Sequence, residues 1–267
     1  MATNRSPRTL KTLAVASDVI DVLVADDGTT VTELAERLDI SKSTAFRYLK
    51  SLEELGFVAH GDDAYRLSYR FLLLGEYTRN NSPLYRVGKQ EVDKLADELG
   101  YYAHLVTETN GYGVSLYQAK GADVAGHDYQ ASKLQQRDPL HVTASGKAIL
   151  AHLPRDRVDE IVEAQGFDPR TENTITDREE LFETLESIRD RGVAYNDEEE
   201  IKGFRAVGVP VIDQHDRVLG SVSVSAPTSY LTNRKFTEEV PDVVHKAANT
   251  IEVKINMSER QNGARGP

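Results

Sequence analysis

Basic and hydroxyl side chains, without any acid, stand together in "ISKSTAFRYLKSL", residues 40–52 of this sequence. They are Lys42, Ser43, Thr44, Arg47, Lys50 and Ser51. Lysine and arginine neutralise phosphates, and the arginine fork can also bond to a guanine edge, so a helix that presents these side chains on one face could bind DNA. The same pattern also fits an ordinary solvated helix face.

A second polar stretch, "TASGKAI", begins at residue 143 and resembles two kinds of catalytic loop. A phosphate-binding loop is excluded, because His141 stands at the first glycine position and Ala148 follows the lysine. A nucleophile pair of Ser145 and Lys147 is excluded because side chains two apart on a helix do not meet. What remains is a helix N-terminus whose free N–H groups, centred on Gly146, could bind a carboxylate, or an ordinary capped helix.

Three serines alternate in "SVSVS", which places Ser221, Ser223 and Ser225 on the same face of one strand. Hydroxyl groups that face a core need hydrogen-bond partners, and a polar ligand would supply them. The alternative is a strand face exposed to solvent.

The remaining candidates for chemistry are weaker. The acidic run from Asp197 to Glu200 has no histidine pair beside it, so it indicates a solvated loop and not a metal site. His104, His127 and His141 occur singly and are interpreted as structural, although His141 could line a pocket. The sequence therefore predicts no catalytic residue, no metal and no cofactor.

The basic run lies within a series of short elements. A helix is expected at residues 11–25, a second is capped by Thr32, and a third is capped by Ser41 and ended by Gly56. In the third helix, Ala45, Leu49 and Leu52 face inward, while Ser43, Thr44, Arg47, Lys50 and Ser51 face outward. "FVAHGDDAYRL" then predicts a hairpin with an acidic tip. These elements predict a winged helix-turn-helix over residues 1–68.

The rest of the chain predicts a second domain of mixed strands and helices. We expect a helix that links the domains over residues 69–82, a domain over residues 83–256 and a disordered tail over residues 257–267. Within the second domain, a hairpin is expected at 101–120, helices after Thr143 and Asp177, three strands between 193 and 227, and a last helix at 234–254. The predicted fold class is α+β.

Composition limits the classes of protein that fit. The chain has 267 residues, of which 39% are hydrophobic, so it can bury real cores, and the absence of cysteine excludes disulfides. We find no membrane span and no signal peptide and predict a cytoplasmic protein. Residues 1–90 carry 12 basic and 12 acidic side chains, so the net charge of −11 falls on the remainder. Abundant aspartate and sparse lysine suggest a high-salt cytoplasm.

Four segments, in order along the chain, resemble the IclR family of bacterial and archaeal transcriptional regulators. They are "TVTELAERLDISKSTAFRYLKSLEELGFV", "LHVTASGKAILAHL", "TITDREELFETLESIRDRGVAYNDEEEIKGFRAVGVPVID" and "SVSVSAPTSYLT". The resemblance implies an N-terminal winged helix-turn-helix, a linker helix and a C-terminal α/β effector domain related to GAF and profilin-like sensors. It also implies dimers or tetramers that bind small organic acids or sugar-derived metabolites.

The resemblance also suggests where an effector would bind. It singles out Ser223 and Ser225 as pocket residues, and with Ser145, Gly146 and Asn196 they form the predicted effector site. Family members often have a cysteine in the segment that matches "GFRAVGVPV", where this chain has Ala206, and some have an aspartate where it has Asn196. The ligands of those relatives are therefore poor guides to the ligand here.

The sequence thus predicts a ligand-responsive regulator of a catabolic pathway that binds a palindromic DNA operator as a dimer or tetramer. Its effector is expected to be a small anionic metabolite, and no catalysis is expected. One alternative is a metabolic enzyme whose N-terminal module regulates its own expression. Another is an architectural DNA-binding protein, against which the net charge of −11 argues.

Overall fold

The computed structural model describes residues 9–61, 63–124 and 138–263. The chain forms two compact units that meet in sequence at Arg79 and Asn80, close to the boundary predicted near residue 82. Helices and a curled antiparallel sheet make up the two units, which confirms the α+β class.

The first unit has the elements of a winged helix-turn-helix. They are α1 (Lys11–Ala25), α2 (Val31–Arg37), α3 (Lys42–Glu54), β1 (Val58–His60), β2 (Tyr65–Leu67) and α4 (Arg70–Asn80). Ala45, Leu49 and Leu52 are buried, as the helical spacing predicts, and pack with residues of α1, α2 and both strands. β1 and β2 form the predicted hairpin, in which Ala59 lies opposite Arg66. Asp62, in the predicted acidic tip, lies outside the described residues.

Side-chain caps fix where the helices of this unit begin. The prediction that Thr32 caps α2 is wrong, because Thr30 is the cap and forms a reciprocal capping box with Glu33. The hydroxyl of Thr30 accepts from the Glu33 amide at 3.3 Å, and the Glu33 carboxylate accepts from the Thr30 amide at 2.8 Å. Ser41 caps α3 as predicted and accepts from the Thr44 amide at 3.2 Å.

The second unit is a six-stranded sheet with helices on both faces. Its strands are β3 (Tyr102–Thr109), β4 (Tyr112–Lys120), β5 (Asp138–Pro139), β6 (Ala194–Asp197), β7 (Phe204–Ile212) and β8 (Val218–Pro227). Its helices are α5 (Pro83–Leu99), α6 (Ala144–Leu150), α7 (Arg155–Gln165), α8 (Arg178–Arg191) and α9 (Val240–Gly263). The strand order is β5-β4-β3-β8-β7-β6, and every pair is antiparallel.

Two apolar layers hold the helices to this sheet. On one face, α5 and α9 pack over valines of β7 and β8, including Val207 and Val224. On the other face, α6, α7 and α8 share a second cluster that contains Leu140, Ile149 and Leu185. The hairpin, the helices capped by Thr143 and Asp177, and the three later strands were all predicted, whereas α7 and β5 were not.

Helix α9 is longer than the sequence suggested. A π-helical turn, Lys235–Glu239, precedes it, and the helix then continues to Gly263. The prediction of a disordered tail over residues 257–267 is therefore wrong up to residue 263, and the last four residues lie outside the described part. Among the described helices, none combines the length and the apolar character that crossing a membrane requires.

Helix α6 approaches its neighbours so closely that glycine is required at two contacts. A Cβ on Gly208 of β7 would lie 2.7 Å from the carbonyl carbon of Ala144. A Cβ on Gly146 would lie 2.1 Å from the carbonyl oxygen of Leu140, in the turn before the helix. Both obstacles are backbone atoms, so they cannot move aside as a side chain can.

We expect Gly146→Ala to destabilise the second unit by about 1–3 kcal/mol, because overpacking against backbone outweighs the gain of about 1 kcal/mol in helix propensity. Urea unfolding followed by circular dichroism measures the change. Gly113→Ala is the control, since its Cβ would meet nothing closer than 3.5 Å, and it should change stability by less than about 0.5 kcal/mol. Equal stability of the two variants would contradict this role of Gly146.

Candidate functional site

The outward face of α3 carries the basic side chains that the sequence singled out. Lys42, Ser43 and Arg47 are exposed; Arg47 lies on the side of the helix opposite the buried Leu49, and Lys42 lies in the first turn. Lys50 is half-buried and its ammonium donates to Glu53 at 2.6 Å, so its charge is already paired within the helix. The hydrogen bond to Glu53 raises the pKa of Lys50. The face thus presents two cations directly and a third that is paired.

The other two predicted DNA-contacting residues, Thr44 and Ser51, lie toward the flank of α3 that meets α1. Both line an apolar groove between α1 and α3, as does Arg47, and the Thr44 hydroxyl lies 2.8 Å from that of Ser41. Sequence reasoning missed Phe46, a large apolar side chain that is 46% exposed on the same helix. Phe46 could have been noticed in the sequence, because it is an apolar residue among the polar residues of this helix face.

In the second unit, a pocket opens between the N-terminus of α6 and the sheet. Its walls come from all six strands of the sheet, the start of α6 and the loop between β6 and β7. Of the five residues predicted to bind an effector, four line it. They are Ser145, Asn196, Ser223 and Ser225, joined by His104, Ser115, Asp138, Glu200, Ile201, Arg205 and Ala206.

The floor of the pocket is a row of paired polar groups. The Ser145 hydroxyl donates to that of Ser223 at 2.7 Å, and the two are buried. The His104 Nε2 lies 3.0 Å from the hydroxyl of Ser225. The pairing places these groups side by side, because His104 of β3 lies opposite Ser223 of β8 in the register. The serine alternation was thus a sound signal for a polar face directed at α6 and away from solvent.

Two buried hydroxyls on this side of the sheet have no partner within the described residues. The Oγ atom of Ser115, on β4, lies at the pocket, and sequence reasoning missed it. The Oγ atom of Ser221, on β8, is equally buried but is not part of the pocket lining. A buried hydroxyl without a hydrogen bond is unfavourable, so Ser115 is the group that a ligand would satisfy.

Gly146 does not have the role expected of it. Its N–H donates to the hydroxyl of Thr143 at 2.9 Å, and the Lys147 N–H donates to the Thr143 carbonyl at 2.9 Å. Gly146 does not line the pocket, so the prediction that its N–H holds a carboxylate is wrong. The Gly146 N–H is bonded to the capping residue Thr143. The absence of a side chain at Gly146 allows the helix to lie close to the backbone of Leu140.

Asn196 lines the pocket, but its amide is largely occupied by the protein. Its Nδ2 donates to the Val142 carbonyl at 2.8 Å, and its Oδ1 accepts from the Glu199 amide at 3.0 Å. It is only 3% exposed. The side chain therefore ties the turn before α6 to the loop after β6.

The acidic run at residues 197–200 is not simply a solvated loop, as the sequence suggested. Glu199 is buried and forms an ion pair with Lys147, which is 2% exposed. Burial raises the pKa of Glu199 and lowers that of Lys147, while their mutual attraction opposes both shifts. Asp197 instead binds Arg205, whose Nε donates to it at 2.6 Å. The charge of this pocket arginine is thus already paired.

The isolated histidines divide between two environments. His104 lies at the pocket, whereas His141 does not line it, contrary to the suggestion from the sequence. His141 is buried against Phe167, and its Nε2 has no hydrogen-bond partner in the described chain. Burial, and then the positive charge of Lys147, lower the pKa of His141. His127 lies outside the described residues, and the described residues contain no cluster of metal-binding side chains.

Two family profiles match the two units of this chain. The IclR helix-turn-helix domain matches residues 12–62, and the profile described as "Bacterial transcriptional regulator IclR C-terminal" matches residues 78–253. Both are domains of transcriptional regulators, which agrees with the prediction that the chain is not an enzyme.

Individual relatives extend over nearly the whole chain. The "Probable HTH-type transcriptional regulator ArcR" of Halobacterium salinarum is 38% identical over 95% of this chain and 97% of its own length, which supports the prediction of a halophile. The HTH-type transcriptional regulator KdgR of Escherichia coli is 28% identical over 94% and 95% of the two chains. The crystal structure of IclR from Thermotoga maritima, 31% identical, superposes with a TM-score of 0.71 over 93% of this chain and 100% of the other. The chain therefore belongs to the IclR family of transcriptional regulators, with a helix-turn-helix for DNA and a C-terminal effector domain.

Proposed function

We propose that this regulator controls a catabolic pathway by binding a palindromic operator as a homodimer, or as a tetramer built from dimers. Its affinity for DNA changes when the pocket takes up a small organic acid or a sugar-derived metabolite. The observation that carries the proposal is the polar floor of the pocket, where a buried hydroxyl at Ser115 lacks a partner among the described residues. In the chain, the connection from this unit to the DNA-binding unit is α4.

The effector class follows from the groups that line the pocket. Serine hydroxyls and the imidazole of His104 can donate to and accept from oxygen atoms of a ligand. Arg205, a cation that lines the pocket, already binds Asp197 and donates to Asn233 at 2.7 Å. A ligand that carries hydroxyls beside one carboxylate therefore fits better than a strongly anionic one.

Exposed apolar side chains support dimerisation through the first unit. Leu10 and Leu13 are 68% and 63% exposed at the start of α1, and Leu55 is 60% exposed after α3. On α4, the large side chains Leu72, Leu73, Leu74 and Tyr77 are exposed as well. Exposed apolar side chains in this number are typical of a protein interface. A dimer would present two copies of α3 to two half-sites of a palindrome.

We expect Arg47 to read a base edge, because it is exposed on the outward face of α3 and has a bidentate fork. Arg47→Ala should weaken operator binding by about 1–3 kcal/mol and relax discrimination at one base position. Lys42→Ala should weaken binding to all sequences alike, and Lys50→Ala should have a smaller effect because Glu53 already pairs with it. Binding assays against a set of single-base operator variants distinguish these outcomes. A uniform loss for Arg47→Ala would remove its assignment as a base contact.

We expect Ser115→Ala to weaken the effector response about tenfold without lowering stability, because its hydroxyl has no bond to lose within the described chain. Ser221→Ala is the matched control, since that hydroxyl is also buried and unpartnered but lies outside the pocket lining. Calorimetry with a panel of 2-oxo acids, hydroxy acids and sugar acids, together with operator release, provides the measurement.

The double variant Ser223→Ala and Ser225→Ala should lose the effector response altogether and retain operator binding. If the double variant binds the same acids with unchanged affinity, the effector site is elsewhere. If Ser221→Ala is as impaired as Ser115→Ala, the effect belongs to the sheet and not to the pocket.

Operator binding should tolerate salt unusually well. Few phosphates can be neutralised by a face whose cations are Lys42, Arg47 and a Lys50 that is already paired, and the affinity falls with salt in proportion to their number. We expect the slope of log K against log salt to be shallower than about −4 between roughly 0.1 and 2 M KCl. A slope of about −8 to −10, as for roughly ten phosphates, would contradict this expectation.

A further inference from the structure

The loop between β6 and β7, residues 198–203, forms one wall of the pocket, and we call it the rim loop. Glu200 and Ile201 of this loop line the pocket directly. Glu198, with a φ of 62°, and Gly203, with a φ of 83°, turn the backbone at its two ends. The Gly203 amide donates to the Glu198 carboxylate at 2.6 Å, so the loop has a defined internal shape.

Glu199 is the one member of the rim loop whose side chain is buried. Its carboxylate pairs with the ammonium of Lys147 on α6, the helix whose first residues form the facing wall. The ion pair therefore joins the two walls of the pocket to each other. The sequence separation is 52 residues, so the contact depends entirely on the tertiary fold.

Hydrogen bonds also hold the rim loop, but unlike the ion pair they join neutral groups. Thr171 and Thr174 donate to the carbonyls of Glu198 and Glu199 at 2.7 and 2.6 Å, on the side of segment 170–174. Each is a neutral bond between a hydroxyl and a carbonyl, which water can replace at little cost when the loop opens. A buried charge cannot lose its partner in place, because an uncompensated ion in a dry interior is strongly unfavourable.

The Lys147–Glu199 ion pair thus has two states, one with the charges in contact and one with them separated. When the charges meet, the rim loop lies on α6. When they separate, Glu199 must reach water, and it can do so only if the rim loop moves outward with it. The pKa values of the two groups agree with this. Burial lowers the pKa of Lys147 and raises that of Glu199, and the pairing of the two charges opposes both effects.

We propose that the Lys147–Glu199 ion pair is the latch that keeps the rim loop closed over the effector pocket. A ligand enters by a local opening of the rim loop in which this pair separates, while the rest of the second unit stays folded. Lys147 and Glu199 act through the loop and are positioning residues. The meaning of the latch for regulation rests on the proposed function of the pocket.

The test is hydrogen exchange of the full-length protein without any ligand, with the rim loop compared with α9. The amide of Glu199 is bonded to Asn196 of β6, outside the loop, and reports its opening. Lys147→Met should speed exchange in residues 198–204 at least tenfold and leave the core of α9 unchanged. Glu199→Gln, which keeps the shape of the side chain, should act in the same direction and is the milder variant if Lys147→Met folds poorly.

Lys202→Met is the matched control on the same loop. It removes an ion pair with Glu172 whose side chains are 81% and 77% exposed, and an exposed pair of this kind contributes little. Rim-loop exchange should then stay within about twofold of the wild type.

Two results would overturn the latch. One is unchanged rim-loop exchange in both Lys147→Met and Glu199→Gln. The other is faster exchange throughout the second unit, α9 included, in both variants, which would make the pair a general support of the core. Neither result depends on ligand binding, so failure of the latch is distinguishable from failure of the pocket assignment, which the Ser115 and Ser221 variants test.

Discussion

The second unit depends on the close approach of α6 to the sheet. Gly208 brings the backbone of β7 against that of α6, and Gly146 brings α6 against the turn at Leu140, at points where any side chain would collide. A helix held at this distance cannot direct its neighbouring side chains to solvent. Ser145 and Lys147 are buried for this reason, and every residue of α6 is buried with them. The constraint is steric, and the polar chemistry around the pocket is a consequence of it.

Buried polar groups must find partners, and this requirement accounts for the arrangement around α6. Ser145 binds Ser223, and Lys147 binds Glu199. Asn196 binds both the turn before α6 and the loop after β6. The pairing is incomplete at Ser115, which lines the pocket and whose hydroxyl has no partner among the described residues. Polar groups that pair within the protein and a polar group left open to the pocket therefore lie in the same set of contacts. A single sequence pattern cannot distinguish the two kinds.

Local signals predicted much of this fold, and long-range contacts account for what they missed. Ser41, Thr143 and Asp177 cap their helices as expected, because caps act within a few residues. The error at Thr30 was avoidable, since T-x-x-E was present in the sequence. The burial of Glu199 was not predictable from its acidic neighbours, because its partner is 52 residues away. The role of Gly146 depends likewise on where Leu140 lies. Of the polar groups around the pocket, the serine face of β8 was predictable and Ser115 was not.

The exposure of helix α4 affects how a newly made subunit would be handled in the cell. None of its 11 residues is buried by the described parts of the chain, and an isolated helix of this length is marginally stable in water. In the proposed dimer, the partner subunit would cover its apolar side chains. A newly made subunit would then carry an unwound, apolar segment, which is the kind of site that proteases and chaperones recognise. Subunits in excess of those that pair would be degraded first, so the amount of regulator would be limited by its own assembly.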